Sequence, residues 1–207
     1  MSARWTFSVL SIWSTPDSER FIALANPNEA GLHHGLPDIL APGLSVIFCG
    51  INPATTAALA GRPFVSPTNR FWRVLHRSGF TSQQVAPEEA QSILRYGYGL
   101  TVVVARPTTG ANDLSHLELK QAGPALESKI RRYAPRVVAF LGKPAFAAIT
   151  GNNAVIWGRQ SECFGAAVAW VLPNPSGRNR SFNFEALVEA YTELRETIGP
   201  ITATAEH

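Results

Sequence analysis

The chain has 207 residues, 45% of them hydrophobic and 16% charged, which suits one domain with a full core and excludes a disordered polypeptide. Its net charge is only +3, yet a pI near 9.1 leans toward an anionic partner. Two cysteines, Cys49 and Cys163, are too few for a disulfide framework or for a four-thiolate metal or iron–sulfur site, and they favour a reducing, intracellular setting.

Residues 1–38 are expected to form an N-terminal extension, because turn-forming Pro, Asn and Gly interrupt any periodicity up to about Pro42. "MSARWTFSVLSIW" loosely resembles a signal peptide, but Ser and Thr dilute it and no small-x-small cleavage site precedes Pro16. No stretch approaches the roughly 20 apolar residues that cross a bilayer. A cytoplasmic, nucleoid-associated protein is the expectation for a bacterial source, with no membrane partner.

The main domain is expected over 39–200, with a short tail at 201–207. Leu44–Cys49 reads as a strand and breaks into Gly-Ile-Asn-Pro and a long loop. Asn69–Ser78 reads as a helix with Phe71, Val74 and Leu75 on one face, and Pro87-Glu88-Glu89 opens another. Leu100–Val104 is a second strand, rich in β-branched residues. A helical stretch from about Ser115 to Tyr133 is expected to be interrupted near Gly123-Pro124.

Val137–Leu141 is a third strand, followed by a short helix from Lys143. Val168–Leu172 is a fourth, and Phe184, Leu187, Val188, Tyr191 and Leu194 line a closing helix. Short apolar strands separated by helices predict a three-layer α/β/α fold on a central, mainly parallel four-stranded sheet.

Ligands of open α/β sheets bind beyond the carboxyl ends of the strands. Gly50–Phe64, Ala105–Asn112 and Pro173–Arg180 all fall there, with Gly142-Lys143 after the third strand. Asn52 reads either as a turn residue before Pro53 or as an amide able to orient a water or recognise a base edge. Phe64, in a Pro-flanked loop, is a core aromatic or a stacking platform. Asn69 is a helix N-cap or a ligand contact. In "LPNPSGRNR", Leu172–Arg180, the arginines are solvated surface charges or the tip of a loop entering a nucleic-acid groove.

His33-His34 lack companions at metal-ligand spacing, and no Walker or dinucleotide fingerprint is present. No metal and no cofactor are expected.

"GINPA", "PFVSPTNRFW", "RPTTGANDLS" and "LPNPSGRNR" occur in this order after these strands. Together they resemble the mismatch-specific uracil-DNA glycosylases and their thymine-DNA glycosylase relatives, over roughly Ile39–Ile198. The resemblance implies a uracil-DNA glycosylase-like fold and a monofunctional N-glycosyl hydrolase of base excision repair. It flips and excises uracil mispaired with guanine in double-stranded DNA, with thymine and etheno-type bases as further candidate substrates, and works as a monomer.

On this resemblance Asn52 is the catalytic amide that positions the attacking water. Ile51, Ala54, Phe64 and Asn69 belong to the base pocket, with Phe64 stacked on the flipped base. Asn174, Ser176, Gly177, Arg178, Asn179 and Arg180 bind DNA, and Gly177–Asn179 form the wedge that fills the vacated stack.

Three positions depart from the pattern: Ala54 replaces a Gly, Ala105 stands where an acid is common, and Arg178 matches the thymine-active branch rather than the commoner Leu. The residues alone also admit a non-catalytic module holding an extrahelical base, or an enzyme acting on free nucleosides.

Overall fold

Every residue of Val46–Gly50 (β1) and of Val137–Leu141 (β3) is buried, as expected of strands covered on both faces. The computed structural model describes residues 35–199; the His33-His34 pair lies outside them. Tyr98–Val102 (β2), Gly158–Phe164 (β4) and Ala167–Leu172 (β5) complete one sheet in the order β2-β1-β3-β5-β4. β2, β1, β3 and β5 are parallel, and β4 is antiparallel to β5.

Alternate residues of the strands feed two cores. On one face Val46, Phe48, Ala139 and Trp170 pack with helix α2 (Phe71–Arg77) and the closing helix α5 (Phe184–Ile198). On the other, Ile47, Val138, Phe140 and Val171 pack with α3 (His116–Tyr133) and α4 (Lys143–Thr150). The expected three layers are present, but the sheet has five strands rather than four. β4 escapes a search for apolar runs because it is an edge strand whose central residues face solvent.

Two further boundaries differ from expectation. β2 starts at Tyr98, earlier than Leu100, because Gly97 takes the left-handed conformation that ends the preceding 3-10 segment, Pro87–Tyr96. Val103 and Val104 extend the ladder irregularly, donating to the carbonyls of Gly50 and Ile51. α3 runs unbroken through Gly123-Pro124. A β-carbon at position 123 would lie 3.3 Å from Ile149 Cβ, so the glycine serves close approach of α3 and α4 instead of a break.

Residues 35–42 are packed on the domain. Ile39 pairs with Leu100 across an antiparallel bridge, and Asp38 accepts from Lys129 Nζ at 2.7 Å and from Thr101 Oγ1 at 2.7 Å. Among the described residues no helix is long and apolar enough to cross a membrane.

Candidate active site

The sheet order reverses between β1 and β3, so a crevice opens above their carboxyl ends. The loop after β1 is tied there to the loop after β2. Thr55 N donates to Thr108 O at 3.0 Å and Thr108 N to Pro53 O at 3.1 Å, closing a parallel bridge between Ala54 and Thr108. The segment expected to be loop also contains one short helix, α1 (Thr55–Ala60), ended by left-handed Gly61.

Asn52 sits inside this tie. Its Nδ2 donates to Arg106 O at 2.9 Å and to Thr108 Oγ1 at 2.7 Å, and that hydroxyl donates onward to Gly110 O at 2.7 Å. Backbone carbonyls only accept, so the amide orientation is fixed by chemistry. Both amide protons are used, Oδ1 bonds no described residue, and Asn52 lines the cavity.

Arg106 is held in turn by a two-pronged pair with Glu118, 2.9 Å at each contact. The guanidinium hydrogen bond holds the Glu118 carboxyl below the usual carboxylate range. This pair is exposed, and its role is to position the loop rather than to add stability.

Phe64 occupies the far wall with φ 56°, a left-handed backbone that a bulky residue adopts only at a cost. One ring face lies against Phe71, centroids 4.0 Å apart and planes 25° apart. The half-buried ring thus has a packed side and a cavity side. Asn69 Oδ1 accepts from Phe71 N at 2.9 Å, so its oxygen caps the start of α2 while its amide nitrogen bonds no described residue. Ile51 and Ala54 also line the cavity.

Residues 173–182 form the opposite rim. Arg70 organises them: its guanidinium donates to four backbone carbonyls, those of Pro175, Ser176, Asn179 and Phe182, at 2.8–3.3 Å. Asn174 accepts from Ser176 N, and Asn179 donates to Asn174 O while accepting from Ser181 N. The amides of Asn174 and Asn179 therefore brace the loop itself.

Gly177 is pressed on Thr68; a β-carbon there would fall 2.6 Å from Thr68 Cβ and 2.7 Å from its carbonyl oxygen. Arg178 is exposed but folds back over the cavity mouth, its Nη1 2.9 Å from where a β-carbon of Gly110 would stand. Arg180 is exposed and makes no ion pair among the described residues.

The cavity between these rims measures about 450 Å³. Among the described residues its ionisable lining groups are Arg178 and the paired Asp38. Among the described residues Asn52 thus has no unpaired carboxylate or imidazole beside it in the cavity lining. Nor do three His, Cys, Asp or Glu side chains converge among them as a metal site would require.

The structure brings Ile51, Asn52, Ala54, Phe64, Asn69, Asn174, Ser176, Gly177 and Arg178 to one cavity, with Asn179 and Arg180 on its rim. Sequence reading missed Thr108 and Arg70. Thr108 lies within a motif that was singled out, yet nothing in its identity shows a hydroxyl aimed at position 52. Arg70 is masked by its place beside a helix start, where a surface cation is unremarkable.

Residues 37–195 match the family described as the Uracil DNA glycosylase superfamily. The chain belongs to that superfamily, and its activity is of the uracil DNA glycosylase type. Among solved structures it is similar to that of a candidate uracil DNA glycosylase from Methanosarcina acetivorans, determined by solution NMR. The two are 18% identical with a TM-score of 0.49, covering 78% of this chain and 98% of that one.

Proposed function

We propose that the protein is a monofunctional glycosylase of the mismatch-specific and thymine-DNA glycosylase branch, which excises uracil opposite guanine from duplex DNA and leaves an abasic site. The observation that carries this reading is the Asn52 amide, whose nitrogen is held by Arg106 O and Thr108 Oγ1 and whose oxygen is left without a described partner, in the lining of a cavity walled by Phe64.

A base flipped out of the duplex, at a cost of a few kcal/mol and least for a mispaired one, stacks on the open face of Phe64. The Asn69 amide nitrogen is free to donate to a base carbonyl. Asn52 Oδ1 accepts a hydrogen bond from a water and so aims the water's lone pair at the sugar carbon. The carbon–nitrogen bond breaks with its electron pair leaving on the base as an anion. The water oxygen bonds to the sugar carbon and releases a proton to solvent, which balances the anionic leaving group.

An amide is no base, so the catalysis is positional and electrostatic and the turnover slow. Arg178 leaves Gly110 to enter the gap in the stack, with Gly177 and Asn179 beside it, and Arg180 neutralises phosphate.

The test is a set of duplexes bearing uracil, thymine or ethenocytosine opposite guanine, and uracil opposite adenine, scored for alkali-labile abasic sites. Excision fastest for uracil opposite guanine is expected, with no strand cleavage before alkali. Binding without abasic sites on any duplex would leave a non-catalytic module, and release of base from free nucleosides would overturn the polymer substrate.

A further inference from the structure

Because β4 runs against β5, its beginning and not its end lies at the edge of the sheet that carries the active site. Gly158 pairs with Val171 near the carboxyl end of β5, so the turn that precedes it, Ile156-Trp157, stands beside the 173–182 rim. That turn is unusual. Ile156 is 59% and Trp157 42% exposed, while the buried Gln160 spends its amide on fixing the turn, donating to Ile156 O at 3.0 Å and Gly158 O at 2.9 Å. A rigid turn that presents two large apolar side chains to water has a partner to meet.

The surroundings say which. Lys143, the first residue of α4 after β3, places Nζ 4.6 Å from the centre of the Trp157 ring. Trp157 packs edge-on against Phe182, centroids 5.2 Å apart, and the carbonyl of Phe182 is one of the four held by Arg70. The patch is therefore physically continuous with the rim that holds Arg178 and Arg180. Glu193 Oε1 lies 3.6 Å from where a β-carbon of Gly158 would stand, so a carboxylate borders the patch on the side of α5. Aromatic faces beside ammonium and guanidinium groups are what a nucleic-acid strand uses, the ring against sugar or base and the cation on phosphate.

We propose that Trp157, Ile156 and Lys143 form a second contact with the DNA duplex, on the strand flanking the flipped nucleotide. The contact rests on the glycosylase reading above and adds to it a reach along the DNA. β4 is three strands from β1 in the sheet, and at about 4.8 Å per strand this separates Trp157 from the Asn52 loop by roughly 14 Å. With about 3.4 Å between successive bases of a strand, the contact falls about four base pairs from the lesion.

The experiment measures Kd by anisotropy on duplexes carrying one 2′-fluorinated, uncleavable uracil opposite guanine. One duplex has about ten base pairs on each side of the lesion, and two others are cut back to about two on one side or the other. On the full duplex Trp157→Ala is expected to raise Kd about 10-fold, the scale of losing one stacked aromatic, and Trp157→Phe to restore most of it. Lys143→Ala is expected to lower the salt slope by about one. Removing one flank, and not the other, should make Trp157→Ala and the wild type bind alike.

Wild-type affinity and slope for both Trp157→Ala and Lys143→Ala on the full duplex would overturn the proposal, as would a Trp157→Ala penalty that survives removal of either flank. If Trp157→Ala does not fold, Trp157→Leu, which keeps an apolar side chain against Phe182 but removes the ring face, and Lys143→Ala carry the test by the same readings. A wild-type protein that binds none of the duplexes would instead refute the glycosylase reading itself.

Discussion

Asn52 and Thr108 are joined at 2.7 Å by an amide-to-hydroxyl hydrogen bond, and donation runs one way, from Asn52 to Thr108 and from Thr108 to Gly110 O. The hydroxyl cannot reverse without giving up its own bond to Gly110 O, which would keep only the Asp113 N–H, and facing the amide with a second donor. Thr108 therefore works with Arg106 O to fix which end of the Asn52 amide is left unbonded. Thr108→Val keeps the shape and removes the acceptor, and should slow excision roughly 10- to 100-fold in single turnover, the scale of a misplaced catalytic group. Asn52→Ala should cost more, and the double substitution no more than Asn52→Ala alone, because the two act as a unit. Additive losses would show that Thr108 acts elsewhere.

Phe64 predicts an inverted order of stability. Its left-handed backbone costs a non-glycine residue about 1 kcal/mol, so Phe64→Gly should be at least as stable as Phe64→Ala, contrary to the usual ranking of those residues. Both lose the Phe71 stack, and both should lower Tm and weaken base binding together. Calorimetry of the two variants, with excision on the same preparations, checks this. An Ala variant clearly more stable than the Gly variant would remove strain from the account.

Arg70 carries the rim. Lysine offers a point charge in place of a planar fork and cannot reach four carbonyls at once. Arg70→Lys should cost roughly 2–3 kcal/mol, on the order of one or two charged hydrogen bonds lost from a half-buried site. Affinity for duplex DNA should fall with it, since the 173–182 loop loses its fixed shape. Urea melts and anisotropy on one preparation test both, and a normal Kd would separate the loop's shape from binding.

The Arg106–Glu118 pair gives the acid limb of the activity a direction. Glu118 titrates below its ordinary range when folded, with the Arg106 hydrogen bond as the leading cause, so its support is complete above the ordinary carboxylate pKa and lost as pH falls through the lowered value. Excision should hold through the range where a free glutamate protonates and decline below it. Glu118→Gln, which keeps one acceptor, should flatten that decline. A profile unchanged by the substitution would place the acid limb on another group.

Burial pushes the Cys49 thiol far up, whereas Cys163 is exposed on β4. Iodoacetamide should label Cys163 alone in the native protein and both after denaturation, as peptide mass mapping would show.

The parallel core was legible because buried strands such as Val137–Leu141 are short apolar runs, and the loops after them carry Gly, Asn and Pro for reasons of backbone geometry. β4 was not, because Arg159, Ser161 and Glu162 give it the composition of a surface segment and only its pairing with β5 defines it. The same blindness hid the Ile156-Trp157 turn, whose position matters only once β4 is known to run backwards. Asn52 could be singled out from its place after β1. The partners that orient it could not, since Arg106 and Thr108 reach it over more than fifty residues of chain.

The β4–β5 hairpin closes over Gly165 and Ala166, both at positive φ, and it is the one pairing in the sheet that needs no crossover. Hairpins of this kind close in microseconds, whereas parallel pairings wait on long loops. The edge strand should thus form early, and the β1–β2 and β1–β3 pairings late. Arg70 clasps carbonyls as far as 112 residues along the chain from it, at Phe182, so the rim closes only when both ends of the domain are in place. A nascent or half-folded chain of this protein therefore has its edge hairpin before it has its cavity.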